Sequence, residues 1–388
     1  MSTSSDTINH AEIMAVSITC NGVAYDITGS MLEINLYESI EAISVMGDIN
    51  FLDTHRLYET IHGGESVNVR LMICERAYDL GFIAYAVEGK SLDDRGGLVQ
   101  LKVAENHYIK NSITTASGMY DDNCSIIMNK LLNNIGVSSI ITENTKQNKK
   151  LSIPHMKPFE AIELIRSQSS SPTGNKMFVY GTLAHGVIID SFDEMSKRPQ
   201  ISGKFRYGVG ESPENPDDIM QSLDIQSRTI HTVDIVDNVD TLAMVKDGFF
   251  GLRSNTIDMF NKSMVTTDFG AGNGVVEKEN TPRVNSVTNS SVSSLGWEMG
   301  DDRYERAKSH SAFSLLNMVV SPYKFRSLKT IGHTIEVLFP NNIHNGNGEN
   351  TFDTKRSGLY VITHSRLSIT PGKATYTMNA VSKVSNNV

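Results

Sequence analysis

The sequence predicts an α+β protein that is mainly β, with antiparallel sheets towards both ends of the chain and short helices between them. Apolar and polar residues alternate with a period of two from about Met14 to Glu105 and again near the C-terminal end, as in strands with one buried face. Glycines interrupt the first region at short intervals. This punctuation favours an antiparallel barrel or sandwich over a sheet built from βαβ units.

Three runs carry the N-terminal pattern. Leu32, Ile34 and Leu36 alternate with polar residues or tyrosine, and the same alternation runs from Val67 to Ile73 and from Val99 to Val103. Turns are predicted at the intervening glycines, which are Gly22, Gly29, Gly63, Gly64, Gly96 and Gly97.

The middle of the chain changes to helical spacing. Asp121 and Asp122 offer a helix start, and Gly136 offers a stop after apolar residues spaced four apart. Pro158 suits the first turn of a second helix that ends near Ser167. Two strand-like runs, 177–183 and 187–192, then predict a hairpin.

Strand-like alternation returns at 202–207 and 222–234. The Gly-, Asn- and Ser-rich stretch 268–294 predicts an exposed excursion, and residues Arg303 to Val320 are predicted to form a helix. A strand around Ile335 to Phe339, a polar loop at 341–350 and a hairpin of 359–369 with 374–381 complete the pattern.

Composition excludes several classes of protein. The 388 residues carry a formal net charge of −9, which disfavours a broad hold on a nucleic-acid backbone. No secretory signal is visible at Met1 to His10, and no apolar run has the roughly 20 residues needed to span a bilayer. The three cysteines, Cys20, Cys74 and Cys124, lie far apart, which predicts a reducing compartment.

No pattern predicts catalytic, metal-binding or cofactor-binding residues. The acidic clusters are local in sequence and are expected in loops or at helix starts; they are Asp190 with Asp193 and Glu194, Asp217 with Asp218, and Asp301 with Asp302. His55 and His62 flank a predicted turn, and His364 is expected on a strand. The glycines from Gly270 to Gly274 lack the dinucleotide-binding spacing, and Lys149 with Lys150 suggests a solvated loop.

Particular residues resemble the baseplate hub protein of contractile-tailed phages, a family related to type VI secretion spikes. The run Gly47, Ile49, Phe51 and Asp53, followed by Gly64, Glu65, Val67 and Val69, resembles a strand pattern of tail hubs. Ile153 with Pro154, the helix around 159–166 and the strand 177–180 resemble the helical insert after the first hub barrel. The closing strands of the second hub barrel are resembled by Gly332, Ile335, Val337, Phe339, 359–361 and His364.

The resemblance implies two similar antiparallel β-barrel, tube-like domains with α/β insertions. The domains are residues 1–110, an α/β insert at 111–200, and a discontinuous second barrel at 201–240 and 321–388 around an excursion at 241–320. The resemblance also implies a homotrimer, which contains six barrels. This trimer would join a threefold central spike to a hexameric tail tube or to the initiator of that tube, and it would also contact baseplate wedge components. DNA would pass through its channel, and an acidic wall is one hypothesis for that channel.

Two other classes remain open at this point. A carbohydrate-active or glycan-binding tail protein would need converging carboxylates or an aromatic platform, yet Trp297 is the only tryptophan. A hub from a secretion-system spike would use related barrels and is not separated from a phage hub by the residues alone.

Overall fold

The structure, a computed structural model, describes residues 11–198 except for positions 55, 74, 75, 94, 95, 147, 168, 174 and 175. Beyond residue 198 it describes 204–207, 229–230, 232–236, 252–258, 262–269, 283–288, 313–320, 331–340, 352–353 and 356–383. Strands predominate in these residues, and all the α-helices among them lie between residues 106 and 197. The prediction of a mainly β protein with a few helices is confirmed.

A first unit is formed by seven strands. They are β1 (Ala11–Cys20), β2 (Val23–Asp26), β3 (Met31–Ser39), β4 (Met46–Asp53), β5 (Ser66–Ile73), β6 (Arg76–Asp93) and β7 (Gly96–Ala104). They pair antiparallel in the order β3-β4-β7-β6-β5-β1-β2. In β5, Val67, Val69, Leu71 and Ile73 are buried while Asn68 and Arg70 are exposed, so the period-two prediction is confirmed there.

An insert of four helices and five strands follows the first unit. Its elements are α1 (Asn106–Ile113), β8 (Ala116–Asn123), α2 (Cys124–Asn134), β9 (Ser139–Ile141), β10 (Asn148–Met156), α3 (Pro158–Ser167), β11 (Met177–Thr182), β12 (Gly186–Ser191) and α4 (Phe192–Lys197). The strands form two small sheets, β10-β8 and β11-β12-β9. The insert has its own apolar core, in which α2 and α3 pack over these sheets.

The two predicted helices of the insert are present, but the first begins later than predicted. Asp121 and Asp122 lie at the end of β8, and the side chain of Asn123 caps α2 by accepting a hydrogen bond from the Ser125 amide at 3.1 Å. Gly136 follows the helix with a φ of +78°, as a helix stop requires. Pro158 is the first residue of α3, as predicted.

The rest of the described chain contributes ten strands. They are β13 (Lys204–Tyr207), β14 (Thr229–Ile230), β15 (Thr232–Val236), β16 (Leu252–Asp258), β17 (Ser263–Phe269), β18 (Arg283–Thr288), β19 (Phe313–Val320), β20 (Thr334–Leu338), β21 (Gly358–Thr370) and β22 (Lys373–Lys383). Three of them, β17-β16-β18, form a separate sheet, and the other seven form a second unit.

The pairings of the second unit return to their starting point. Six positions are occupied in turn by β13, β20, β21, β22, β19 and the consecutive strands β15 and β14. Because β14 pairs with β13 while β15, one residue further along the chain, pairs with β19, the circuit comes back to β13.

The sequence predicts only antiparallel pairs, but this unit also contains parallel ones. Strand β13 runs parallel to both β20 and β14. Parallel neighbours need a long connection, and residues 208–228 between β13 and β14 provide one.

In the first unit, a tight turn at Asn21 and Gly22 makes β1 and β2 antiparallel, with φ of 52° and 79° at the two turn residues.

The helix predicted in the excursion is wrong over the described residues, and a strand lies within the stretch predicted as an exposed excursion. The helix predicted from Arg303 to Val320 is strand β19 over 313–320, paired on one edge with β15 and on the other with β22. Its nearly continuous apolar run fits a strand with neighbours on both sides as well as it fits a buried helix. Within the stretch predicted as an exposed excursion, residues 283–288 form β18, which pairs with β16.

One apolar core connects both units. It contains buried side chains from β1, β3 to β7, β13, β14 and β20 to β22, together with residues of the insert. The pairing of β3 with β21 makes the two sheets continuous across it. Among the helices that the structure describes, none combines the length and apolar character needed to cross a bilayer.

Candidate functional site

Five strands of each unit follow the same path. In the first unit the order is β3-β4-β7-β6-β5, and in the second it is β15-β19-β22-β21-β20. Numbered along the chain, each set runs 1-2-5-4-3, and all its pairs are antiparallel. The chain therefore contains an internal repeat of topology that residue identity did not reveal.

The repeat extends to individual hydrogen bonds. The Gly64 amide donates to the Ala84 carbonyl at 2.7 Å, and the Ala84 amide donates to Glu65 at 2.9 Å. In the second unit, the Gly332 amide donates to Ile362 at 2.8 Å, and the Ile362 amide donates to His333 at 3.0 Å. Both glycines have positive φ, +96° for Gly64 and +73° for Gly332. Ala84 and Ile362 thus occupy equivalent positions.

A bulge follows at the same place in both units. The register with the fifth strand shifts between Ala84 and Ala86 in β6 and between Ile362 and His364 in β21. A bulge bends its strand and increases the local twist. Because β6 and β21 are the fourth strands of their units, the two sheets bend at equivalent points.

The units meet at a seam, which we define as residues 34–39 of β3 paired antiparallel with residues 364–369 of β21. On its core face, Ile34 lies opposite Ile369 and Leu36 opposite Leu367, and all four side chains are buried. The seam therefore combines a hydrogen-bonded ladder with apolar burial, which favours a fixed angle between the units.

Glu38 is a buried carboxylate at the end of the seam. Its Oε1 accepts a hydrogen bond from the Leu183 amide of the insert at 2.7 Å, and its Oε2 accepts one from Ser365 Oγ at 2.7 Å. This one side chain thereby joins the first unit, the insert and the second unit. Burial raises the pKa of Glu38 to about 7, and the charge of Glu105 adds to the rise, while the two hydrogen bonds oppose it.

We expect replacement of Glu38 by glutamine to remove part of the pH dependence of stability. In the unfolded chain the carboxyl has its ordinary pKa of 4.5, so between pH 4.5 and about 7 the unfolded state loses a proton that the folded state keeps. The stability that this group contributes is complete below pH 4.5 and is lost as the pH rises through 7. The free energy of unfolding of the variant, relative to that of the wild-type protein, should therefore be higher at pH 8 than at pH 4.5 by up to about 3 kcal/mol.

Urea unfolding of both proteins at several pH values measures this difference. Burial also raises the pKa of Glu105 and of Asp190, and both contribute to the pH profile of both proteins. Only the difference between the two profiles reports on Glu38. Parallel profiles over this pH range would show that Glu38 titrates normally in the folded state.

A second polar cluster joins the insert to the second unit. Asp190, on β12, is fully buried and forms an ion pair with Arg198. Thr142 Oγ1 donates to Asp190 Oδ1 at 2.6 Å, and the Tyr180 hydroxyl donates to Asp190 Oδ2 at 3.3 Å. Arg198 NH1 donates to the Gly332 carbonyl at 3.2 Å, so the cluster reaches the second unit.

The prediction that Asp190 lies in a loop or at a helix start is wrong. It is a strand residue, and burial is the main cause that raises its pKa, against the opposing hydrogen bond from Thr142 and the charge of Arg198. Burial and the charge of Asp190 also raise the pKa of Tyr180. Asp193 and Glu194 do lie at a helix start, in the first turn of α4, where the Ser191 side chain accepts from the Glu194 amide.

Glycine allows the closest approaches between these parts. A Cβ placed on Gly332 would lie 2.8 Å from Cζ of Tyr180 and still closer to its hydroxyl oxygen. A Cβ on Gly181 would lie 2.5 Å from the Ile43 carbonyl oxygen, where the Gly181 amide donates to Ala42 at 3.0 Å. Any larger residue at either position would push the insert away from its neighbour.

The opposite face of the continuous sheet is polar and crosses both units. One row of directly paired residues runs from β22 to β6 through Thr375, Ser368, Asn35, Asp48, Lys102 and Ala86. Charged side chains in and beside this row have partners on the same face. Lys102 Nζ lies 2.7 Å from Glu88, and Arg366 NH2 donates to Asn35 at 2.9 Å. We call this surface the polar face.

The residues that resemble the tail-hub pattern have structural roles. A Cβ on Gly47 would lie 2.8 Å from the Asn35 carbonyl oxygen, so glycine lets β4 approach β3. The Asp53 carboxylate accepts from the Leu57 and Tyr58 amides at 2.8 and 2.9 Å, and Glu65 accepts from the His62 and Gly63 amides. The carboxylates therefore hold the link between β4 and β5.

The other candidates of the sequence do not converge. His62 and His364 are exposed and lie in different units, while Lys149 and Lys150, predicted in a loop, lie on β10 opposite Asp122 and Asp121. His55, Cys74, Asp217, Asp218, Gly270 to Gly274, Trp297, Asp301, Asp302 and the loop 341–350 lie outside the described residues. Within the part of the chain that the structure covers, no group of three His, Cys, Asp or Glu residues is arranged to hold a metal ion.

Cys20 and Cys124 are both buried, and neither forms a disulfide. Burial raises the pKa of the Cys20 thiol, and the charge of Glu65 adds to the rise. The two thiols lie in different cores, one in the first unit and the other in the insert. Their burial is typical of cysteines that serve as small apolar residues.

Solved structures share this architecture. A tail protein from Neisseria meningitidis has a TM-score of 0.58 and 11% identity, covering 95% of this chain and 96% of that chain. The 43 kDa tail protein of prophage MuSo2 from Shewanella oneidensis has a TM-score of 0.56 and 10% identity over 94% of this chain and 97% of that chain. No model of a known protein family and no curated protein matches the sequence.

A component of the Escherichia coli type VI secretion system, described as structurally similar to two bacteriophage T4 tail proteins, has a TM-score of 0.50 and 10% identity. The alignment covers 94% of this chain and 76% of that chain. The fold is therefore the one shared by phage tail proteins and type VI secretion spikes, which confirms the resemblance drawn from the sequence.

Proposed function

We propose that this chain is the structural baseplate hub of a contractile phage tail and acts without catalysing a reaction. Three copies would form a ring of six similar units, which adapts a threefold central spike to a hexameric tail tube. The observation that carries this proposal is the internal repeat. Two units with the same 1-2-5-4-3 strand order give a trimer six similar positions around its axis.

The connection between the two units supports the adaptor role. A pseudo-sixfold ring needs a fixed angle between its two kinds of unit, because an error at one seam is repeated three times around the ring. The ladder of the seam, the shared core and the side chain of Glu38 all act on this angle. The cluster of Asp190 and Arg198 adds a second attachment through the insert.

We further propose that the polar face lines a channel through which DNA leaves the particle. On this face Lys102 and Arg366 pair with Glu88 and Glu33, which leaves Asp48 as the one excess carboxylate of these five side chains, so the wall proposed here is only weakly acidic. Side chains that are already hydrogen-bonded to each other offer few free cations to phosphates. Such a surface would let a nucleic acid slide past without holding it.

The proposed organisation assigns residues 1–110 and the discontinuous segments 201–240 and 321–388 to the two hub units, with β19 now added to the second. The insert, 111–200, and the excursion, 241–320, would then be available for contacts with wedge components. The spike and the tube, or its initiator, would bind opposite ends of the ring. The assembly would belong to the virion tail and form in the host cytoplasm, with no membrane partner and no cofactor.

The mass of the full-length protein in solution, alone and mixed with the spike protein encoded by the same phage, tests the proposal. We expect a trimer of three times 42.8 kDa, about 128 kDa, in one or both samples, and threefold particles with six lobes in electron micrographs. A chain that stays monomeric in both samples would overturn the hub. Release of reducing sugar from bacterial cell walls would instead support the carbohydrate-active alternative.

A second candidate is the hub of a secretion-system spike, and the similarity to the Escherichia coli component favours it. Both candidates use the same ring, so the structure of the chain does not separate them. Mass spectrometry of purified phage particles does. Recovery of this chain from particles that contain packaged DNA supports the tail hub, and its recovery only from DNA-free secretion assemblies supports the other candidate.

A further inference from the structure

The long strand β6 has a strand partner along only part of its second edge. On one edge it pairs with β7 from Ile83 to Asp93. On the other it pairs with β5 as far as Ile83, and Ala84 bonds to Gly64 and Glu65. Beyond Ala84 the strands that the structure describes supply no neighbour on this edge. A strand edge of this kind is a template for pairing with another strand.

The repeat shows what covers the equivalent edge in the second unit. The equivalent of β6 is β21, which pairs with β20 as far as Val361 and forms the bonds of Ile362 to Gly332 and His333. Just past its bulge, residues 364–369 of β21 pair with β3, which is the first strand of the other unit. One of the two equivalent edges is therefore covered by a first strand within the chain.

The partner that the repeat assigns to β6 is the first strand of the second unit, β15. Rows of paired residues establish the correspondence: Ile34, Ile49, Leu101 and Val87 form one row, and Val233, Met318, Met378 and Ser365 form the other. Ile34 of β3 thus corresponds to Val233 of β15. In the described chain, β15 pairs with β19 on a single edge.

We propose that residues 88–91 of β6 pair antiparallel with residues 233–236 of β15 from a second copy of this chain. The register is that of the seam, transferred through the repeat. The pairs Arg366–Tyr37 and Ile369–Ile34 become Glu88–Val236 and Ser91–Val233. The inference rests on the proposed trimer and specifies its interface as a continuation of the sheet from one chain into the next.

The symmetry of the ring requires two different chains for this contact. The seam joins the fourth strand of the second unit to the first strand of the first unit, and the proposed contact joins the fourth strand of the first unit to the first strand of the second. If both contacts formed within one chain, they would close a ring of two units. Between chains the same head-to-tail contact, repeated three times, closes a ring of six.

Exposed aromatic side chains lie beside the proposed edge. The ring of Tyr58, which is 50% exposed, lies over Gly89, where a Cβ would approach its Cε2 to 2.6 Å. Tyr85, at the bulge, is 39% exposed. Tyrosine is enriched at the centre of protein interfaces, so the incoming strand would meet an apolar surface as well as open hydrogen-bonding groups.

Disulfide trapping of the full-length protein tests the pairing and its register. All variants carry Cys74→Ser, which leaves the buried Cys20 and Cys124 as native thiols. Glu88→Cys is combined with Val236→Cys, which the proposed register brings face to face, and mild oxidation is followed by non-reducing electrophoresis. We expect disulfide-linked dimers and trimers, because directly opposed strand residues satisfy the geometry of a disulfide.

The matched control combines Glu88→Cys with Asp234→Cys, which moves the second thiol by two residues, about 7 Å along the strand. We expect about tenfold less linked protein from this pair, since such a displacement exceeds the reach of a disulfide. A trimer by mass that gives equal yields from both pairs would overturn the pairing and leave the hub intact. A protein that is monomeric with and without its spike would overturn both.

Discussion

Replacing Arg198 by methionine is expected to lower the free energy of unfolding by about 3–5 kcal/mol, because the change leaves a buried carboxylate without its counter-charge. Asp190 is fully buried, and its remaining partners, the Thr142 and Tyr180 hydroxyls and the Ser191 amide, are neutral hydrogen-bond donors. The substitution also removes the link from Arg198 to the Gly332 carbonyl. Chemical unfolding measured by far-UV circular dichroism at neutral pH gives the value.

The neighbouring residue provides the control. Lys197 forms an ion pair with Glu194 at 2.8 Å, but its side chain is 61% exposed, so Lys197→Met should change stability by less than about 1 kcal/mol. Adding Asp190→Asn to Arg198→Met should recover a large part of the loss, since the buried charge is then absent. Equal effects of the two single substitutions would show that Asp190 is not ionised in the folded protein.

Gly332→Ala is expected to destabilise the protein by about 2–4 kcal/mol, through backbone strain and a steric clash together. The residue has a φ of +73°, and a Cβ would overlap the ring of Tyr180. The clash acts where the insert meets the second unit. Thermal and urea unfolding measure the loss of stability.

Gly372 separates the two causes of this effect. Its φ is +79°, and nothing lies within 4 Å of a Cβ placed on it, so Gly372→Ala carries the backbone strain alone. Adding Tyr180→Phe to Gly332→Ala removes the closest atom of the clash and should restore part of the loss. If Gly332→Ala cost no more than Gly372→Ala, the contact with Tyr180 would have no energetic weight.

The strands of the two units could be predicted because their burial follows the alternation of the sequence. The hairpin of β21 and β22 and the strand β5 are examples, since each has one face in the core and one in solvent. Leu32 departs from the pattern and is 39% exposed. A register shift between Met31 and Glu33 turns it outwards, and this bulge depends on the pairing partner β4.

The candidate site was harder to predict, because its residues acquire their roles from distant parts of the chain. Glu38 shares the face of Ile34 and Leu36, so a charged residue at an inward position was a signal in the sequence. Its partners, Leu183 and Ser365, lie far away along the chain. Asp190 was hidden for the same reason, since its counter-charge on Arg198 comes close only after β12 and α4 fold.

The sequence by itself determined that this protein is mainly β, where its hairpins and insert helices lie, and which residues resemble a tail hub, because these features depend on local periodicity and turn chemistry. Only the tertiary structure decided that the two units share one strand order, that β19 is a strand, and that β3 continues the sheet into β21. Strand pairing joins residues that are hundreds of positions apart, and many sequences satisfy the same ladder of backbone hydrogen bonds. The repeat is therefore preserved in hydrogen bonds and bulges while the residues that form it differ.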